Sequence, residues 1–201
     1  YANGDWPYNQ GGGILLWDHT SPTLENLIIK ENVSRGSGAG ISAQDDCSPI
    51  ISNVVINNNI SSGRAGGLYL HNNCHAKLFN VTITNNFSSE DGGGIFARDD
   101  SEPIIKNSII SNNTSNDDGG GIYIEGSDFT INNCIIKDNN IEGRGGGVSC
   151  FSGECIVFNC LIKNNNAQQY GGAVVATNTP GPIFVNCTFV ENTSGMVEAA
   201  L

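Results

Sequence analysis

The sequence predicts an all-β chain, a single-domain parallel β-helix, and three observations carry that reading. First, one apolar residue follows a glycine-rich run seven times, at Ile14, Ile41, Leu68, Ile95, Ile122, Val148 and Val174, with spacings of 27, 27, 27, 27, 26 and 26. Second, two asparagine rows repeat in step: Asn26, Asn53, Asn80, Asn107, Asn133, Asn159 and Asn186, each followed six residues later by Asn32, Asn59, Asn86, Asn113, Asn139, Asn165 and Asn192. Third, apolar residues alternate with period two in three short segments of each unit, and helical periodicity is absent. The expected solenoid has about seven coils of 26–27 residues with three short strands per coil, each strand pairing with its equivalent above and below. At about 4.8 Å per coil it is a rod on the order of 34 Å long. Residues 1–201 form one domain in this reading: 1–13 an incomplete leading coil, 14–192 the repeat array, 193–201 the start of a further, incomplete coil.

The first segment of each coil points Ile14 and Leu16, Ile41 and Ala43, Leu68 and Leu70, Ile95 and Ala97, and Ile122 and Ile124 inward. The second contributes Leu24, Ile51, Leu78, Ile105, Ile131, Val157 and Phe184, two residues before the first asparagine of the unit. Ile29, Ile56, Ile83, Ile110, Ile136, Ile162 and Phe189 come from the third, three residues after that asparagine. Neither of these last two rows has a polar exception, so both belong to the core.

Right-handed coiling fits the three-sheet pattern, by extension of the crossover rule for parallel strands. Both asparagine rows are expected to form ladders, because an amide side chain donates and accepts and so bonds its copy in the next coil. The glycines supply a corner where backbones approach closely. Asn32, Asn80, Asn113 and Asn192 stand in N-x-[ST] form, but a ladder residue facing its neighbours is a poor glycosylation acceptor.

Gly171-Gly172-Ala173-Val174 and Phe189-Val-Glu-Asn192 carry a family resemblance, relaxed elsewhere to Gly-Gly-Gly-Ile and to Ile-x-x-Asn, as in Ile29-Lys-Glu-Asn32. The chain resembles right-handed parallel β-helix repeat proteins, and more narrowly the repeats of polymorphic outer-membrane-protein passengers. The resemblance covers nearly all 201 residues and implies a secreted or surface-exposed solenoid, often an adhesin.

A formal charge of −11 with nine Lys plus Arg lacks the electrostatic footprint of nucleic-acid binding and disfavours anionic lipid. No stretch approaches the ~18 apolar residues of a membrane span, so no membrane insertion is expected. Cys134, Cys160 and Cys187 share one register position with Leu27, Val54, Val81 and Ser108, and read as small buried residues. Cys47 and Cys74 lie 27 apart and stack in neighbouring coils, which makes them one candidate disulfide; Cys150 and Cys155, flanking a short turn, are the other.

Candidate chemistry lies in two acidic sets. Asp18, then Asp45 with Asp46, then Asn72 with Asn73, then Asp99 with Asp100 occupy the turn after the first strand in successive coils, beside His19, His71, His75 and Arg98. Such a row could serve a polysaccharide-binding or polysaccharide-cleaving face, but solvated turns are the stronger expectation, with Arg98 an ion-pair partner of Asp99 or Asp100. Asp91 and Asp118 align one unit apart ahead of the glycines and are the candidate Ca²⁺ ligands; no other cofactor and no catalytic residue is expected. Trp6, Tyr8 and Trp17 are expected to cover the first coil, a sugar-stacking platform being the other reading.

Extending the repeat places Ala2 late in one coil and Ala199-Ala200-Leu201 early in another. The sequence therefore leads to the expectation of a non-enzymatic, extracellular or cell-surface structural solenoid: a stalk or adhesin segment, or a subunit that stacks on copies of itself head-to-tail. Glycans are the second partner class.

Overall fold

The computed structural model describes residues 9–195. It is a parallel β-solenoid of seven coils, with four strands per coil rather than three. In the first coil these are Ile14–Trp17, Thr23–Glu25, Ile28–Lys30 and Val33–Ser34. The fourth position recurs as Ile60–Ser61, Phe87–Ser88, Thr114–Ser115, Asn140–Ile141, Asn166–Ala167 and Thr193–Ser194. Two residues are too few for an alternation to show, and the inward one is usually polar: Ser34, Ser61, Ser88 and Ser115 are fully buried. Their hydroxyls reach nearby carbonyls, as Ser88 Oγ does to Glu90 O at 3.0 Å. Thr193–Ser194 is therefore the fourth strand of the seventh coil, not the start of another.

Equivalent strands build four seven-stranded parallel sheets, called sheets 1 to 4 in chain order within a coil. Registers are exact repeats of the sequence pattern: Ile41 lies beside Leu68 in sheet 1, Ile51 beside Leu78 in sheet 2, Ile56 beside Ile83 in sheet 3. The expected inward rows form the core. Ile41, Leu68, Ile95 and Ile122, then Ile51, Leu78, Ile105 and Ile131, then Ile56, Ile110 and Ile136 are wholly buried. Each such side chain contributes roughly 1.5–3 kcal/mol by leaving water.

The glycine column holds the corner into sheet 1. A Cβ on Gly67 would stand 2.4 Å from Gly94 O and 2.9 Å from Ile83 Cγ2, so backbone and core claim the space a side chain would need.

The two asparagine rows do different work. Asn32, Asn59, Asn86, Asn113, Asn139, Asn165 and Asn192 form the expected buried ladder: Nδ2 of Asn59 donates to Asn86 Oδ1 at 2.9 Å and to Ile29 O at 3.1 Å. Asn26, Asn53, Asn80, Asn107, Asn133, Asn159 and Asn186 instead mark a corner, with φ between 52° and 56°. The ladder expected of this row is partial and exposed: Asn80 Nδ2 donates to Asn53 Oδ1 at 3.3 Å, Asn133 to Asn107 at 2.7 Å and Asn186 to Asn159 at 3.3 Å. Asparagine is chosen there because it tolerates the left-handed region, not chiefly because it stacks. Another positive-φ column, Glu31, Asn58, Asn85, Asn112, Asp138, Asn164 and Glu191, turns sheet 3 into sheet 4. Of the N-x-[ST] asparagines, Asn32, Asn113 and Asn192 belong to the ladder and Asn80 to the exposed corner.

All seven cysteines are free thiols, which corrects both expected bridges. Cys47 and Cys74 do stack, the Cys47 N–H donating to Cys74 Sγ at 3.3 Å, while their thiols donate to Gln44 O and His71 O. In-register neighbours hold their Cβ atoms about 4.8 Å apart, wider than the roughly 3.5–4.5 Å of a disulfide. Cys150 and Cys155 face the core from sheets 1 and 2 of one coil, and a hydrogen bond from Cys155 holds the Cys150 thiol below its ordinary pKa.

Candidate functional site

The most developed polar surface lies on the loops that lead from sheet 4 into the glycine corner. Four charged residues occupy one register position there in successive coils, two arginines flanking two aspartates: Arg64, Asp91, Asp118 and Arg144. Asp118 Oδ1 accepts the backbone N–H of Arg144 at 2.7 Å, and Oδ2 accepts its Nη2 at 2.6 Å and Nε at 3.1 Å. Asp91 Oδ1 accepts the Asp118 N–H at 3.2 Å, and Oδ2 takes Arg64 Nε at 3.3 Å. Burial pushes the Asp91 carboxyl above its usual range, while the hydrogen bonds to Asp118 raise the Arg144 guanidinium further. Asp91, Asp118 and Arg144 of this column line a groove of about 610 Å³ together with Asp117, Glu142, Gly143, Gln168, Gln169 and Tyr170.

Beneath the loops runs an aromatic column that the sequence reading missed. Tyr69, Phe96 and Tyr123 follow the first inward residue of sheet 1 in three coils and stack at 5.5 and 5.0 Å between centroids. Phe151 extends the stack at 5.3 Å on Tyr123, and His71 lies 5.9 Å from Tyr69 at the other end. Phe96 is fully buried although its strand position faces away from the main core, because the loops fold over it. Arg64 lies over Phe96 and Arg144 over Phe151, at 5.2 and 5.1 Å. The signal was present in the sequence as three aromatics 27 residues apart.

The register, the four parallel sheets and the ladder agree with a family comparison: the profile of the right-handed β-helix region matches residues 12–196. The chain belongs to the right-handed β-helix family. No curated protein and no solved structure matches it. The right-handed sense expected from the sequence is that of the family.

In this β-helix the expected Ca²⁺ pair, Asp91 and Asp118, aligns one coil apart as anticipated, but each carboxylate is held by an arginine, so a cation would have to displace guanidinium groups. Among the described residues no three His, Cys, Asp or Glu converge as a metal of higher coordination requires.

The acidic turn row of the β-helix is also tied coil to coil. Asp18 and His19, Asp45 and Asp46, Asn72 and Asn73, and Asp99 and Asp100 are paired left-handed residues that turn the chain out of sheet 1. Asp45 accepts Trp17 Nε1 at 2.7 Å and Asn72 Nδ2 at 2.8 Å; the bond from Asn72 is the first cause holding its carboxyl below the usual range. Asn73 donates to Asp46. Asp99 meets Arg98 at 3.2 Å, as expected, and His71 at 3.0 Å. Burial, helped by the Arg98 charge, keeps His71 neutral more readily than a free imidazole, whereas the exposed His19 is raised by its hydrogen bond to Asp18. Trp17 is bonded to this turn rather than laid over the coil; Trp6 and Tyr8 lie outside the described residues.

Proposed function

We propose that this chain is a non-enzymatic structural β-solenoid of the cell exterior, a stiff rod that serves as a stalk or adhesin segment. The observation that carries the reading is the commitment of the candidate acids to the coil stack: Asp45 joins Trp17 to Asn72, Asp91 joins Arg64 to Asp118, and Asp118 accepts four hydrogen bonds from Arg144. A general acid or metal ligand needs a carboxylate free to meet its substrate. The resemblance to surface passenger repeats supports the location.

Head-to-tail association of copies belongs to the same proposal. Every coil offers its neighbour one in-register edge of backbone and ladder groups, so a coil of a second copy can pair as the next coil of the same chain does, and such a contact propagates without closing. Electron microscopy and light scattering over a concentration series test it: rods that lengthen with concentration are expected, and a species that stays monomeric throughout removes self-association.

One observation favours a second reading. The groove of about 610 Å³ combines an exposed ring, Tyr170, with exposed carboxylates and amides, which suits a glycan bound without being cleaved. Retention on immobilised oligosaccharides that Tyr170→Ala abolishes would select it.

A further inference from the structure

Cys134, Cys160 and Cys187 occupy one register position in three successive coils, at the turn between sheets 2 and 3, as the pairing of the following residues shows: Ile135 with Leu161 and Leu161 with Thr188. Their side chains share one rotameric arrangement. Each thiol donates to the carbonyl two residues back, Asn132 O and Phe158 O at 3.2 Å and Val185 O at 3.4 Å. Each also faces a core-row carbonyl of the preceding coil: Ile105 O, Ile131 O and Val157 O. Two of the sulfurs accept a backbone N–H from the coil before, Ser108 N to Cys134 Sγ and Cys134 N to Cys160 Sγ, both at 3.4 Å.

Identical orientation in identical coils makes the sulfurs related by the coil rise, about 4.8 Å. That spacing is too wide for a disulfide without rearranging both rotamers. It is close to the span of two collinear metal–thiolate bonds, roughly 4.6 Å at the about 2.3 Å of a zinc–thiolate bond, and the shorter bonds of a two-coordinate Cu(I) ion draw the two sulfurs slightly together. Tetrahedral Zn²⁺ is unsuited, since among the described residues no third ligand of the His, Cys, Asp or Glu class converges on such a point. A soft ion that accepts two thiolates in line needs none, and thiolate donors select soft ions.

We propose that the Cys134–Cys160–Cys187 row is a two-coordinate site for a soft monovalent metal ion of the Cu(I) class, lodged between the sulfurs of adjacent coils. Cys160 is the shared ligand, bound together with Cys134 or with Cys187. Two thiols lose their protons to solvent, the ion gains two S–metal bonds, no electron moves, and the bis-thiolate unit carries one net negative charge. Backbone N–H groups already directed at the sulfurs of Cys134 and Cys160 stabilise that charge. Cys134 and Cys160 are 2% and 3% exposed and Cys187 is only partly buried, so the ion enters from the Cys187 side. This inference does not depend on the proposed structural role.

The test is a titration of the fully reduced chain with Cu(I) under nitrogen, in competition with a colorimetric Cu(I) chelator, followed by X-ray absorption of the loaded protein. One ion per chain withdrawn from the chelator by this row, with two sulfur neighbours, is the expected result. Cys160→Ser, checked for folding by circular dichroism, loses that ion, whereas Cys187→Ser keeps it through Cys134 and Cys160. Cys74→Ser, which breaks the other stacked pair, leaves it in place. Should Cys160→Ser fail to fold, Cys134→Ser with Cys187→Ser removes both partners of Cys160 and must lose the ion instead. The proposal is overturned if the chelator keeps all the copper, if Cys160→Ser binds as much as the parent, or if Cys74→Ser alone abolishes binding.

Discussion

Asn113 Oδ1 receives two hydrogen bonds from Asn86, one from its backbone N–H and one from its Nδ2, both at 3.0 Å. Asn113 then donates to Ile83 O and to Asn139 Oδ1, so one buried amide connects three coils. Removing it strands buried polar groups in the coils on either side. Asn113→Ala should cost about 2–4 kcal/mol, from two or more unsatisfied groups at about 1–3 kcal/mol each with partial relaxation. Asn107 sits at the exposed corner with φ 53°, so Asn107→Gly should stay within about 0.5 kcal/mol and Asn107→Val should cost about 1–2 kcal/mol. Urea denaturation of the three variants checks the contrast; equal losses for Asn113→Ala and Asn107→Gly would show that the rows are equivalent after all.

The aromatic column is a second core. Phe96 is fully buried between Tyr69 and Tyr123 and under Arg64. Phe96→Ala is expected to cost about 3–5 kcal/mol. A loss below 1 kcal/mol in thermal or urea unfolding would mean that the loops over it do not form in solution.

The Asp118–Arg144 pair is partly solvated, with Asp118 12% and Arg144 40% exposed at the side chain. Arg144→Ala should therefore cost about 1–3 kcal/mol, less than the ~3–5 kcal/mol of a fully buried pair. Adding Asp118→Ala should recover part of the loss, since the stranded carboxylate goes with it. A double-mutant cycle with zero coupling would contradict the pairing.

His71 gives the pH dependence a sign. Its folded pKa lies below the ordinary value, first through burial and then through the Arg98 charge. The unfolded chain therefore binds this proton more readily, and stability falls as pH drops through the ordinary histidine range near 6.5. Melting temperatures measured between pH 7.5 and 5 should decline less steeply in His71→Gln than in the parent. An unchanged slope would remove His71 as a cause.

The core was legible because Ile51 and Ile56 belong to period-two segments whose equivalents recur 26 or 27 residues later without a polar exception. Ser61 and Ser88 hid the fourth strand: buried serines in two-residue strands read as turn residues, and only the hydroxyl contacts made inside the coil explain them. The loop site was half legible. Arg64, Asp91, Asp118 and Arg144 stand 27, 27 and 26 apart, a base–acid–acid–base order that predicts pairing at each end once acids and bases are aligned together rather than acids alone. Phe151 could not be placed in the aromatic column by spacing, because it pairs in register with Glu125 and reaches Tyr123 from a different strand position.

The structural role of Asp45 and Asp118 is the central claim, and product analysis tests it most directly. Acidic and neutral polysaccharides are incubated with the chain under hydrolase and lyase conditions, with Asp45→Ala and Asp118→Ala alongside, and read by mass spectrometry. The structural reading predicts uncleaved polymer in every sample and lowered melting temperatures for both variants. Shortened products from the parent that disappear in either variant, with that variant still folded, would contradict it.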